Sequence, residues 1–146
     1  MKKILFISAL LFSFNGWAEP KQLICISDVS AEEEGERLRS NGMYDLAEIC
    51  KNSDFARKHI FVFDTNGLKN PVESNVEYTF IYACGIPEDT KSKKMTHTPS
   101  VISFAINTYK SGSSFNVDRK TLRSGFGTSR NHSCSLEDID TSENIL

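Results

Sequence analysis

The sequence lacks most of the spacings that announce chemistry. No C-x-x-C, H-x-H or H-x-x-x-H occurs in its 146 residues, which removes the usual zinc patterns. No G-x-S-x-G is present, so the nucleophile elbow of the serine hydrolases is missing. The three histidines, His59, His97 and His132, are scattered, and no local pattern joins one of them to a nucleophile and an acid. After the first apolar run no second one follows. Strong charge of either sign is absent too, with 17 Lys and Arg against 19 Asp and Glu. A weakly acidic chain has no electrostatic reason to bind nucleic acid or anionic lipid. The one basic cluster, Lys91, Lys93 and Lys94, reads as part of a solvated loop. No cofactor or metal is expected, and binding of another protein is a better reading than catalysis.

What is present begins with an export signal. Met1-Lys2-Lys3 is a short positive start, Ile4–Phe14 is almost wholly apolar, and Gly16-Trp17-Ala18 has the small-x-small form of a cleavage site. These are the three parts of a secretory signal peptide. The apolar run is well short of the roughly 20 residues that span a bilayer. Ile24 stands before Cys25, where a lipoprotein signal requires a small residue, so no lipid anchor is expected. Removing residues 1–18 from 146 leaves 128, enough for one domain, 19–146, with a proper core. The signal holds two lysines and no acid, so the remainder has 15 bases and 19 acids, a net charge of −4. The expected location is periplasmic or secreted, with no membrane attachment after cleavage.

All four cysteines, Cys25, Cys50, Cys84 and Cys134, lie in the processed part. An even count in an exported chain reads as two disulfides. Of the three possible pairings, Cys25–Cys50 with Cys84–Cys134 is favoured here, because each bridge ties neighbouring stretches without threading.

Lys21–Asp28 reads as a strand with Leu23 and Cys25 on one face. Ser30 to Glu33 is a capping box, and Glu32, Glu33 and Glu34 suit the positive end of a helix dipole. Asn41-Gly42 is a helix stop. A second short helix is expected over Met43–Lys51, with Met43, Leu46, Ala47, Ile49 and Cys50 as its apolar face. His59–Asp64 is a strand candidate before the turn Thr65-Asn66-Gly67. In Val76–Gly85, Val76, Tyr78, Phe80, Tyr82 and Cys84 alternate onto one face. Ile86–Pro99 is polar and reads as an exposed loop.

Ser100–Leu122 reads as a hairpin. Val101, Ile102, Phe104, Ile106 and Tyr109 suit a pleated surface, Lys110-Ser111-Gly112-Ser113 is a turn signal, and Phe115 and Val117 alternate with Asn116 and Asp118. Ser124-Gly125-Phe126-Gly127 reads as a bend, Arg130–Leu136 as a last strand pinned by Cys134, and residues 137–146 as a frayed acidic tail. Phe61 to Leu68 and Phe115 to Leu122 share the form F-x-Φ-D-x-x-x-L, the pattern of a strand end with two inward residues, an Asp turn and a Leu returning to the core. The expected fold is therefore α+β and mainly β: a small antiparallel barrel or sandwich with a short N-terminal helical segment, stapled by disulfides.

One local motif carries a resemblance. Lys110-Ser111-Gly112-Ser113-Ser114-Phe115 is similar to the S-G-x-x-Y loop of the periplasmic lysozyme inhibitors, with Phe115 at the Tyr position. The resemblance implies a partner-contact turn at Lys110, Ser111, Gly112 and Ser113, with Ser111 as the contact residue. Across its length, the chain resembles the small signal-bearing exported proteins of enterobacterial and prophage-like regions, through the Lys-Lys signal, the size and the paired cysteines. That likeness implies export and no particular activity. The functional expectation is an exported binding or inhibitor-like module; the alternatives are a small hydrolase and an immunity or exclusion protein.

Overall fold

In the computed structural model, residues 20–64, 68, 73–85, 90–106 and 114–138 are described. The expected signal segment 1–18, most of the turn after Asp64, the Lys110–Ser113 turn and Ile139 with the residues after it lie outside them. Eight strands close into one antiparallel barrel: β1 (Pro20–Ser27), β2 (Arg57–Asp64), β3 (Ser74–Tyr82), β4 (Lys91–His97), β5 (Val101–Ala105), β6 (Phe115–Asp118), β7 (Arg123–Phe126) and β8 (His132–Asp138). Each strand pairs with its neighbours in sequence, and β1 closes the ring by pairing with β8. The expected antiparallel, β-dominated, disulfide-bearing fold is present as a barrel. Closure leaves no open edge for another chain to extend.

Two helices lie between β1 and β2: α1 (Ala31–Ser40) and α2 (Tyr44–Cys50). The capping box starts α1: the Ser30 hydroxyl accepts from the Glu33 amide at 3.1 Å, and the Glu33 carboxylate accepts from the Ser30 amide at 3.2 Å. Gly42, at φ +79°, carries the chain into α2 through a left-handed conformation that a side chain would oppose. No helix among the described residues is long and apolar enough to cross a membrane.

Alternation fills the barrel. On β2 the inward residues are His59, Phe61 and Phe63, while Lys58, Ile60 and Val62 face out. Phe61 stacks on Phe104 with centroids 3.8 Å apart, and Leu23, Met95, Phe115 and Val117 complete the buried centre. A second, smaller core joins Ala31, Leu38, Ala47 and Cys50 of the helices to Cys84, with Tyr82 against it. The predicted inward face of β3 is thus divided: Val76 and Tyr78 belong to the barrel, Tyr82 and Cys84 to the helical core. Both copies of the F-x-Φ-D-x-x-x-L pattern bury their first two apolar residues and pack the Leu, Leu68 or Leu122, against the barrel core.

Five expectations are corrected. The bridges are Cys25–Cys134 and Cys50–Cys84, not Cys25–Cys50 and Cys84–Cys134. Cys25 and Cys134 are directly opposite one another in the β1–β8 register, a contact created by closure between residues 109 apart in sequence. The supposed loop before Pro99 contains β4, whose only fully buried residue is Met95; one inward methionine among lysines is too weak a periodic signal to read. Ser124 to Phe126 lies in β7. Gly125 is there because the following turn folds over it: an added Cβ would lie 2.5 Å from the Ser129 carbonyl oxygen. The apolar face expected on α2 buries Ala47 and Cys50 but leaves Met43 and Ile49 exposed. Finally, Glu137 and Asp138 continue β8 rather than starting a frayed tail.

Candidate functional site

The up-and-down order places the end of β1, the start of β2, the end of β3, the start of β4, the end of β5, the start of β6, the end of β7 and the start of β8 at one mouth of the barrel. The helical connection 28–56 leaves from this mouth. So do the strand ends that flank the candidate contact turn, Ala105 of β5 and Phe115 of β6.

The helix pair is fixed to the mouth by two devices. The first is Glu34, which occupies the buried stripe of α1 with Ala31, Gly35 and Leu38 and is 2 % exposed. Its Oε1 accepts hydrogen bonds from Arg37, from the Tyr82 hydroxyl at 2.7 Å and from Arg57 at 3.3 Å. These partners, Arg37 above all, hold the carboxyl below its usual range despite burial. Burial and the neighbouring Glu34 push the Tyr82 phenol up, and the Arg57 guanidinium lies 5.2 Å from the centre of the Tyr82 ring. A buried charge is tolerated only when paired and hydrogen-bonded in this way. The second device is the Cys50–Cys84 bridge, between the last residue of α2 and the chain just after β3.

Between the helices runs a shallow cleft of about 270 Å³, with Ala31, Gly35 and Ala47 in it and Glu32, Glu36, Arg39 and Lys51 around it. The outward side of α2 leaves Tyr44 63 % and Ile49 58 % exposed. Next to the module, Asp28 receives two hydrogen bonds from Arg123, at 2.9 and 2.5 Å, which lower its carboxyl pKa.

Inside the same mouth two of the three scattered histidines meet. His59 on β2 and His132 on β8 have ring centres 5.1 Å apart, edge to face. His59 is 3 % exposed, lies against Phe80 and Phe115 at 4.9 and 4.7 Å, and its Nδ1 is 2.7 Å from the Tyr78 hydroxyl. His132 Nδ1 donates to Asn131 Oδ1 at 2.7 Å, which leaves Nε2 bare, buried and without a hydrogen-bond partner among the described residues. Burial, with repulsion from His132 and Arg57, lowers His59 to about 3. Burial lowers His132 to about 4, partly opposed by Asp28. Both rings are therefore neutral at pH 7 and weak as bases. Among the described residues, the hydrogen-bond partners of this pair are a phenol and an amide, not a carboxylate. Ser124 Oγ is 2.9 Å from Cys134 Sγ, so the nearby hydroxyl is directed at a disulfide.

Of the predicted site residues, the four cysteines are placed in bridges, and Lys110, Ser111, Gly112 and Ser113 lie outside the described residues. Phe115, which stands at the Tyr position of the inhibitor-like loop, is fully buried in the barrel, so that position offers no surface contact. Asp118 caps its own turn by accepting from the amides of Lys120 and Thr121 at 2.8 and 3.0 Å. Glu34 went unrecognised as an anchor. The signal was available: it shares the i, i+3, i+4, i+7 stripe with Ala31, Gly35 and Leu38, and an acid in an apolar stripe needs a partner.

By architecture this is a closed, filled, eight-stranded up-and-down barrel with a helical pair pinned to one mouth. Compared with protein-family models, curated proteins and solved structures, the chain matches none.

Proposed function

We propose that the chain is an exported binding or inhibitor-like module of the periplasm and not an enzyme. The observation that carries this reading is the mouth itself: a rigid, filled barrel presents one long connection, fixed by a disulfide and a buried charge hub, with large apolar side chains left in solvent. Rigid scaffolds that present connections of this kind carry binding functions, and fixing the element beforehand reduces the ordering cost of association. Export and the periplasm are supported by the leading signal pattern and the two bridges, since disulfides persist in oxidising compartments. The likeness to exported proteins of enterobacterial and prophage-like regions rests on the Lys-Lys signal, the size and the paired cysteines.

The Lys110–Ser113 turn remains a proposed contact, flanked by strand ends at this mouth. The polar stretch Pro87–Pro99 is a second proposed contact, although β4 occupies Lys91–His97 of it. An immunity or exclusion protein for a cell-wall-directed toxin would use the same mouth with a different partner, and it is favoured by the acidity of the helical connection. A hydrolase built on the buried histidine pair would find His59 and His132 facing aromatic rings, a phenol and an amide inside the barrel.

Affinity capture from periplasmic extract tests the reading. Retention of one defined protein by the folded chain, lost in Gly112→Trp or in variants of the helical connection, is expected. No retained protein in any condition, together with hydrolytic activity that His59→Gln abolishes, would replace it with the enzyme reading.

A further inference from the structure

The connection 28–56 holds eight acids (Asp28, Glu32, Glu33, Glu34, Glu36, Asp45, Glu48 and Asp54) and three bases (Arg37, Arg39 and Lys51), a net charge of −5. The remaining residues from 19 onward hold eleven acids and twelve bases. All of the negative excess of the processed chain therefore sits in this one connection. The same stretch carries four of the six large apolar side chains exposed among the described residues: Val29, Met43, Tyr44 and Ile49. Single exposed apolar residues are ordinary on a protein surface. Their concentration on the acidic element is not what an even scatter produces.

On α2, Tyr44 with Glu48 and Asp45 with Ile49 are i, i+4 pairs, adjacent along the helix surface, and all four residues are exposed on its outward side. Cys50 and Ala47, on the other side, hold that face in place through the bridge and the small core. Glu34 and Asp28 are neutralised by arginines, and Glu48 lies near Lys51 and Arg39 at 3.7 and 4.0 Å. Glu32, Glu36 and Asp45 make no ion pair among the described residues, so their charge projects into solvent.

We propose that this outer face of α2 is a docking surface for a cationic protein, with Tyr44 and Ile49 as apolar anchors and Glu32, Glu36 and Asp45 steering the approach. The proposal rests on the binding-module reading. Aromatic and aliphatic anchors on a preorganised element supply most of the energy of an interface, and complementary charge supplies rate and selectivity. A second copy of the chain is a poor occupant, because a twofold contact would set one −5 module against another. Nucleic acid and anionic lipid are repelled for the same reason.

The test replaces Tyr44, Ile49, Ser129 or Ser135 singly with a benzophenone amino acid in the full-length exported protein and irradiates intact cells. Ser129 lies in the turn after β7 at the same mouth, and Ser135 on the barrel wall. The expected result is one adduct, shared by positions 44 and 49 and absent at 135, whose protein is identified by mass as basic. That protein, purified, should bind the chain directly. Its Kd should rise about tenfold or more in Tyr44→Ser and in Ile49→Ser, and again between ~50 and ~300 mM salt. Both substitutions are at exposed positions, and unchanged melting temperatures would show the fold intact. Adducts at 129 alone would overturn the docking face while leaving the binding-module reading standing. No adduct at any mouth position would overturn both. A dimer-mass adduct, a neutral or acidic partner, or an affinity unmoved by Tyr44→Ser and Ile49→Ser would each overturn the proposal.

Discussion

Lowering the pH from 7.5 to 4.5 should strip this protein of stability through two residues above all. His59 and His132 are buried in the barrel mouth, and burial lowers their pKa from 6.5 to about 3 and about 4. A base whose folded pKa is depressed is stabilised in its neutral form. Its full contribution is therefore present above the unfolded value of 6.5 and is lost as pH falls below it, because the unfolded chain binds protons that the fold refuses. The loss grows until the folded pKa is reached, near 4 for His132 and 3 for His59. Each pH unit in that window costs about 1.4 kcal/mol per histidine, so at pH 5 the two together cost about 4 kcal/mol. That is a large part of the 5–15 kcal/mol that holds a typical domain together. The groups facing the pair are Tyr78, Arg57, Arg123 and Asp28; of the three charged ones only Asp28 favours protonation. The assay is urea unfolding at several pH values between 7.5 and 4.5, above the range where most carboxylates titrate. In the paired variant His59→Phe with Tyr78→Phe, which removes the ring and its hydroxyl partner together, about half of the pH slope should disappear. A wild-type midpoint that stays constant over this range, or a variant that retains the whole slope, would refute the reasoning.

The bridges are equally exposed to test. Non-reducing digestion should release Cys25–Cys134 and Cys50–Cys84 peptides, and a Cys25–Cys50 peptide would contradict the barrel closure. Removing the Cys50–Cys84 bridge, which spans 34 residues, should cost about 4 kcal/mol in the chain-entropy model, read from the shift in denaturation midpoint. Glu34→Gln should loosen the helical pair, at a cost of about 2 kcal/mol or more, with faster hydrogen exchange across 31–50 and little change in β1 to β3; equal protection in both would show that Glu34 is no anchor. Gly125→Ala should destabilise by about 1–3 kcal/mol, because its Cβ must displace the Ser129 carbonyl and the Asn131 side chain; a loss below about 0.5 kcal/mol would mean the turn gives way freely.

Local signals were readable wherever the chain's own neighbours decide the conformation. The Ser30–Glu33 box and the Asn41-Gly42 stop set both ends of α1 within a few residues. The alternation of His59, Phe61 and Phe63 marked β2, and Phe115 with Val117 marked β6. The readings that failed share another cause. Cys25 had no local reason to prefer Cys134 over Cys50; β4 had one buried methionine to declare it; and Gly125 read as a breaker because the turn folded over it begins only at Gly127. The candidate site divides in the same way. Acids on the helical connection could be counted directly, whereas the exposure of Met43 and Ile49 was hidden, because an apolar residue on a short helix reads as core until the packing is known.

By itself, then, the sequence determined the elements, their dominance by antiparallel strands and the presence of two bridges, since helix caps, turn residues and period-2 alternation act over spans of about ten residues or fewer. Only the tertiary structure decided that β1 meets β8, that the cysteines pair as they do, that Glu34 becomes a buried hub and that His59 meets His132. Those are relations between residues tens of positions apart. Their energies exist only once the ring has closed and water has been driven from its interior.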